Sequence, residues 1–470
     1  MLAIIALPFV QVNAAGKTVA GFKNNSYASQ GYSDAKIVVD GVYAKDSAYS
    51  KNYKEGYDVS QSDFFSKNHT IKYWSSHGSS AGYVYGDAND VSAQMTSSTK
   101  FSGGNLEFLF LCACYQLTGD GSNPRAWYAN SMIGNNAVRV ICGYHEQAPK
   151  KSDYMVAEEF ITTAKTGESV KSSWMIANLN VYTEHGYTAP KDFLVLTHNN
   201  NSQYSRFEGF PGNTYSRPGS SSTSILRFSY VNQSGTNQPY SSGSSDAFTS
   251  LNSIVVPSYR IQVRPLATKT DISGEIGHTA ITMDSDEALH ASQEWLFAQA
   301  NSMASTLDGI TSSISPIASN PVPSTGSIVM AEVKEKSSQE VEVPIAHVVS
   351  YDNTYNGVPL LGDTFTTIID DTGVIYGNYK WHEVIGIVPV STAENLTTVD
   401  FQTALNQAQA FIQAHSSAQS AYVDACEITR AALVFSPSQT DGIYTPTWVF
   451  DTTDEQRVLV DCITGSLSEA

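Results

Sequence analysis

The chain has 470 residues, enough for two or three domains, and its 41% hydrophobic content with 26 Tyr and 19 Phe is enough to bury a substantial core. Only 15% of its residues are charged and the net charge is −18. That balance excludes a coiled coil, a charge-rich disordered chain, and nucleic-acid binding through clustered Lys and Arg. The charge is uneven: residues 1–235 carry 19 basic and 18 acidic side chains, while residues 236–470 carry 8 and 27. A neutral half joined to a strongly acidic half points to two domains of different character.

Leu2 to Val12 is an apolar run of signal-peptide length that ends at Asn13-Ala14-Ala15, where Val12 and Ala14 suit the −3 and −1 positions of a cleavage site. Residues 1–15 are therefore expected to be a signal peptide and the protein secreted, either free or held at a cell surface. No stretch approaches the ~18 apolar residues of a membrane helix. In the neutral half, short strands are expected at Lys36–Asp40, Thr70–Trp74, Leu106–Leu111 and Val138–Gly143. Helices are expected from Ser122-Asn123-Pro124 to about Ile133, over Tyr154–Lys165 with Met155, Phe160 and Ala164 buried and Gly167 as the stop, and over Ser169–Leu179. Strands that alternate with helices imply a mainly parallel, helix-covered sheet. A further strand, Ser224–Val231, lies among Ser/Gly-rich segments.

The acidic half reads as two helix-then-strands units. The first has a capping box at Asp284–Glu287, a helix to about Leu307, and strands at Ser327–Lys334, Gln339–Ser350, Thr364–Ile369 and Val374–Tyr379. The second has a helix over Thr398–Ala414 and strands at Thr429–Phe435, Thr447–Phe450 and Arg457–Cys462. The expected organisation is a signal peptide at 1–15, an α/β domain at 20–235, a Ser/Gly-rich linker at 236–255, and two units at 256–395 and 396–470.

The residues that suit chemistry are a His and a Cys, each just past an apolar strand: His77-Gly78 after Ile71–Trp74, and Cys114 after Leu106–Leu111. Residues just past the carboxyl ends of neighbouring parallel strands meet on one rim. A Cys nucleophile needs such a base, because the thiolate attacks and the thiol does not. Gly78 lets the backbone approach closely, and its amide can face an oxyanion. Cys112 is a rival nucleophile, and a second His-Gly at His185-Gly186 lacks an apolar strand before it. His145-Glu146 follows the fourth strand and can line a substrate pocket on the same rim, though a satisfied polar loop is the plainer reading. Asp87, Asp90 and Glu107 have no acid/base spacing. The cysteine count of five excludes a disulfide scaffold, and Cys426 with Cys462 is the one pair open to the acidic half. No pair of His stands at metal-ligand spacing, and no cofactor is expected.

The two blocks, Ile71-Lys72-Tyr73-Trp74-Ser75-Ser76-His77-Gly78 and Leu106-Glu107-Phe108-Leu109-Phe110-Leu111-Cys112-Ala113-Cys114, resemble the caspase-like cysteine peptidases, among them gingipains, clostripain and legumain. The resemblance covers about residues 30–200. It also extends to a bacterial secreted family with the same His-Gly and Ala-Cys pair. It implies an α/β caspase-like sandwich, cleavage of peptide or protein substrates with His77 as base and Cys114 as nucleophile, and the amides of Gly78 and Cys114 as oxyanion hole. The acidic half, with Asn356-Gly357-Val358-Pro359 in its first unit and Asp461-Cys462-Ile463-Thr464-Gly465 in its second, resembles PepSY modules, small cystatin-like helix-on-sheet units. That implies a regulatory role through contact between the two halves. The alternative reading is a non-catalytic extracellular binding or surface-interaction protein that keeps the caspase-like scaffold.

Overall fold

In a computed structural model the chain is described over residues 16–24, 33–85, 92–96, 98–117, 130–132, 136–149, 152–185, 192–198, 201–212, 225–232, 241–242, 245–306, 323–333, 341–390, 398–416, 427–453 and 456–469. The expected leader at 1–15, the expected helix over most of 122–133, Asp87, Asp90 and Cys426 lie outside these residues.

The neutral half contains β1 (Thr18–Asn24), α1 (Asp34–Lys45), β2 (Ser50–Glu55), α2 (Gln61–Phe65), β3 (Ile71–Gly78), β4 (Tyr83–Tyr85), β5 (Ser92–Gln94), β6 (Phe108–Cys112), β7 (Val140–Tyr144), α3 (Asp153–Thr166), α4 (Val170–His185), β8 (Phe193–His198) and β9 (Ile225–Asn232). Strands β2, β1, β3, β6 and β7 lie side by side and parallel, and β8 and then β9 continue the sheet antiparallel. The two-residue period of the strands divides its apolar residues between two faces. Ile71, Tyr73, Phe108, Phe110 and Cys112 pack with Val38, Phe160 and Trp174 of α1, α3 and α4. Trp74, Leu109 and Leu111 pack the other way, against Phe64 of α2, the loop residue Phe101 and Met132 of the helical residues 130–132. Among the described residues, the three long helices thus cover one face, and α2 with residues 130–132 and loop segments covers the other.

The Lys36–Asp40 run is helix rather than strand. Ser33 accepts from Lys36 N at 3.3 Å as the N-cap, and Ala35, Val38, Val39 and Val42 are buried at helical spacing. That spacing outweighs the β-branched character of Ile37, Val38 and Val39. α3 matches the expected helix, and Gly167 closes it at φ +113°, where a side chain is strained. β1, β2 and β8 were not foreseen, nor was the run of α4 past Leu179 to His185.

The acidic half contains β10 (Ser241–Ser242), β11 (Tyr259–Ile272), α5 (Ser285–Thr306), β12 (Pro323–Val333), β13 (Val343–Tyr355), β14 (Val358–Asp370), β15 (Gly373–Pro389), α6 (Phe401–Ser416), β16 (Ile428–Pro437), β17 (Ile443–Thr452), β18 (Arg457–Asp461) and β19 (Leu467–Glu469). β12, β13, β14, β15 and β11 form an antiparallel series. α5 packs on it with Ala288 and Leu296 buried beside Phe365 and Tyr379. Its capping box is present, with Asp284 N donating to Glu287 and Glu287 N donating to Asp284 at 2.9 Å. The Asn356-Gly357 pair turns β13 into β14, both residues at positive φ, as a type I′ hairpin requires. α6 lays Phe401, Ala404, Ala408 and Ile412 on Trp448, Phe450, Val458 and Val460 of β17 and β18. Within 236–255, Phe248 and Leu251 belong to that same core.

The two halves share one sheet. β9 pairs antiparallel with β12 from Ile225↔Val333 to Asn232↔Gly326. The helix-side core of the neutral half runs on through Ile328, Ala346, Val348, Ile368 and Tyr376. Glu275, between β11 and α5, meets the start of α4: it accepts from Ser169 N at 3.0 Å, Ser169 Oγ at 2.8 Å, Ser172 Oγ at 2.7 Å and Arg206 Nη2 at 2.5 Å. Lys171, fully buried, donates to the carbonyls of Ile276 at 2.6 Å and Gly277 at 3.2 Å. The joint is therefore a ladder, an apolar core and a buried polar network, not a loose meeting of opposite surface charges.

Candidate active site

The site is built at the carboxyl ends of β3 and β6. These strands pair in parallel from Ile71↔Phe108 to Ser75↔Cys112. Two residues beyond the last pair on each strand come His77 and Cys114, so the register brings both to the same rim. His77 is held in a second, antiparallel ladder by Tyr85 of β4, and the two rings stack with centroids 5.6 Å apart. Gly78 lies directly against the Cys114 peptide. A Cβ at position 78 would stand 2.2 Å from Cys114 O and 2.8 Å from Cys114 N, so only glycine fits there.

Cys114 is half-buried, past the end of the strand. Its Sγ accepts from Ala148 N at 3.4 Å. A backbone N–H aimed at sulfur favours the thiolate, the form that reacts. The chain then turns sharply. Tyr115 sits in the left-handed region at φ 62°. Its N–H donates to Glu146 O at 2.5 Å, and Leu117 N donates to Tyr144 O at 3.0 Å. The segment after Cys114 is thus stitched to the end of β7. Gln116 is buried, and its Nε2 lies 2.8 Å from Cys114 O, 3.1 Å from Tyr83 O and 3.5 Å from Ser79 O.

His145 and Glu146 stand on the loop after β7, on the same rim. His145 is half-buried and Glu146 exposed, with His145 Nε2 3.7 Å from Glu146 Oε1. His145 N donates to Asp192 O at 3.1 Å, and its Nδ1 lies 3.1 Å from the same oxygen. The backbone of Glu146 accepts from Tyr115 N, next to Cys114.

Cys112 and Cys142 have a different environment. Cys112 is buried in the helix-side core and its thiol donates to Tyr73 Oη at 2.8 Å. Burial, and then the Asp34 carboxylate, push that thiol well above its usual range, and burial alone does the same to Cys142. Both behave as small apolar residues at neutral pH. Cys462 is likewise buried and pushed up by burial; its expected partner, Cys426, is outside the described residues. Glu107 forms an ion pair with Arg139 at 2.9 Å. The side chain of His185, at the end of α4, is outside the description.

Beneath the same rim lies a buried ion cluster that the sequence did not reveal. Lys23, paired in register with Ser75, meets Asp34 at 3.3 Å and Asp153 at 3.5 Å. Asp34 and Asp153 are the first residues of α1 and α3, where a negative charge suits the helix dipole. Burial opposes the Lys23 charge, but the two carboxylates outweigh it and raise its pKa. The cluster draws both helix starts to the end of the sheet. Two further contributors escaped sequence reading: Gln116 and Ala148. Only Gln116 carried a usable signal, its position two residues after the Cys. Among the described residues no group of three His, Cys, Asp or Glu side chains is placed to hold a metal.

Residues 10–227 match the model of a protein family described as a domain of unknown function, DUF6345. The chain is also similar to two solved structures. One is the complex of the Porphyromonas gingivalis RgpB pro- and mature domains, with 10% identity and a TM-score of 0.31 over 76% of this chain and 68% of that one. The other is the Arg specific cysteine proteinase gingipain R, with 9% identity and a TM-score of 0.32 over 75% of this chain and 66% of that one. No curated protein sequence matches the chain. No helix among the described residues is long and apolar enough to cross a membrane.

Proposed function

We propose that the protein is a secreted, caspase-like cysteine endopeptidase in which His77 is the base and Cys114 the nucleophile. The observation that carries this reading is the β3–β6 register, which ends at Ser75↔Cys112 and leads to His77 and Cys114 on one rim. Three features support it. Cys114 is the half-buried thiol among the described cysteines, its sulfur receives the Ala148 amide, and Gly78 packs on the Cys114 backbone.

In the reaction, His77 removes the Cys114 thiol proton and the sulfur attacks the peptide carbonyl. The carbonyl oxygen becomes an oxyanion, for which the amides of Gly78 and Cys114 are the candidate donors. Collapse of this intermediate breaks the C–N bond, and His77 returns the proton to the leaving amine. A water molecule, deprotonated by His77, then hydrolyses the thioester and restores the thiol. His145 and Glu146 line the substrate side of the rim in this reading. Secretion rests on the leader-like residues 1–15. The acidic half, with its PepSY-like motifs, acts as a regulatory partner through the shared sheet and the Glu275 contact with α4.

The test is cleavage of a mixed peptide library under reducing conditions, read by mass spectrometry. Wild type should generate new termini, and Cys114→Ala should generate none. Equal product patterns from both proteins would contradict the assignment.

A further inference from the structure

We propose that Gln116 is a positioning residue that clamps the strand end carrying His77 to the peptide carrying Cys114; this rests on the peptidase reading of that pair. The Gln116 carboxamide reaches back across the turn that follows the nucleophile. Its Nε2 meets Cys114 O at 2.8 Å on one side, and Tyr83 O at 3.1 Å and Ser79 O at 3.5 Å on the other. Ser79 directly follows His77-Gly78, and Tyr83 opens β4, whose Tyr85 pairs with His77. One amide group therefore spans the two segments that hold the base and the nucleophile.

The contact has no slack. A Cβ on Gly78 would lie 2.6 Å from Gln116 Nε2, so the amide fills the space beside the glycine. Gln116 is 1% exposed, so water does not compete for its donors. Its backbone is fixed as well, between Tyr115, whose N–H donates to Glu146 O, and Leu117, whose N–H donates to Tyr144 O. The donor chemistry is specific. A primary amide supplies two N–H groups to carbonyl oxygens, whereas a carboxylate supplies none and a thioether none. Gln116 Oε1 is buried with no partner among the described residues, so the side chain is anchored through its donors. Gln116 touches no reacting atom: it acts through the placement of Cys114 and His77.

Displacement of catalytic groups by about 1 Å costs on the order of 10²-fold in rate. Gln116→Met keeps the length and apolar bulk but removes both donors. Gln116→Glu keeps the shape, loses the donors when ionised, and regains one O–H donor when protonated. The experiment measures second-order alkylation of Cys114 by iodoacetamide in the full chain from pH 5 to 9, located by peptide mass, alongside kcat and KM for any peptide substrate. Thermal melting verifies that each variant is folded.

Gln116→Met should shift the pH profile of Cys114 alkylation and lower kcat by roughly 10–100-fold with little change in KM. For Gln116→Glu, the alkylation rate relative to wild type should rise as pH falls, because protonation restores a donor. A purely structural role would lower melting temperature without that pH-dependent recovery. Folded variants whose Cys114 profile matches wild type at every pH would overturn the clamp. A shifted profile in the Gln116 variants, with a wild type that cleaves no peptide, would keep the clamp and reject the peptidase reading.

Discussion

Gly78 and Cys114 are packed backbone to backbone: a single added Cβ on Gly78 would fall 2.2 Å from the Cys114 carbonyl oxygen. Something must move to admit it, and the nearest atoms are backbone. Gly78→Ala should therefore displace the Cys114 loop. The expected outcome is a loss of Cys114 reactivity by roughly two orders of magnitude, in line with a shift of about 1 Å at the site. The comparison of alkylation rates at Cys114 checks it. Unchanged reactivity would show that the two segments are not in contact.

Cys114 and Cys112 should separate cleanly. Cys114→Ala should abolish labelling by a thiol-reactive peptide. Cys112→Ala should leave the label in place and act on stability instead, since it removes the 2.8 Å contact with Tyr73 from a packed core. Peptide mapping of the labelled protein distinguishes the two outcomes. Comparable loss of label in both variants would assign the effect to folding.

The strand ends at His77 and Cys114 were legible because Ile71–Trp74 and Leu106–Leu111 are apolar runs interrupted only by Lys72 and Glu107, close to the near-continuous pattern of buried parallel strands. The helix Asp153–Thr166 was legible from Phe160 and Ala164 with Gly167 behind them. Lys36–Asp40 misled because Ile37, Val38 and Val39 favour strands locally, while tertiary burial of Ala35, Val38, Val39 and Val42 decides for helix. The Lys23–Asp34–Asp153 cluster was not legible at all. Its members are far apart in sequence, and only the fold brings them within ion-pair distance. The union of the halves was hidden for a similar reason: a net charge difference says nothing about whether β9 pairs with β12.

That union yields a third prediction. Glu275 accepts hydrogen bonds from Ser169 N, Ser169 Oγ, Ser172 Oγ and Arg206. Glu275→Ala leaves these donors without their carboxylate and should cost about 2–3 kcal/mol, as for hydrogen bonds to a charged group. Residues 16–235 alone lose the β12 partner of β9 and part of the common core, and should fail to give a cooperative melt. Urea titration of the variant and calorimetry of the fragment provide the checks. A fragment that melts like the full chain would mean that the joint is dispensable.

A fourth prediction concerns pH. Glu168 is held well above the usual carboxylate range by burial and by the neighbouring Glu275 carboxylate, to about 8. The folded protein therefore keeps a proton that the unfolded chain has released above about 4.3. By linkage this favours the fold at low pH and is lost as pH rises through the folded value. Stability should decline between pH 5 and 8, and Glu168→Gln, which cannot ionise, should flatten that decline. Melting temperatures of the two proteins across the range decide it. A parallel decline in both would assign the pH dependence elsewhere.

The dyad itself is tested most directly by the rate at which a thiol-reactive peptide labels Cys114 in wild type and in His77→Ala. If His77 generates the attacking thiolate, its removal should slow labelling at Cys114 by roughly 10²–10⁴-fold and flatten the pH dependence near neutrality. Labelling of Cys114 at the wild-type rate in folded His77→Ala would contradict the dyad.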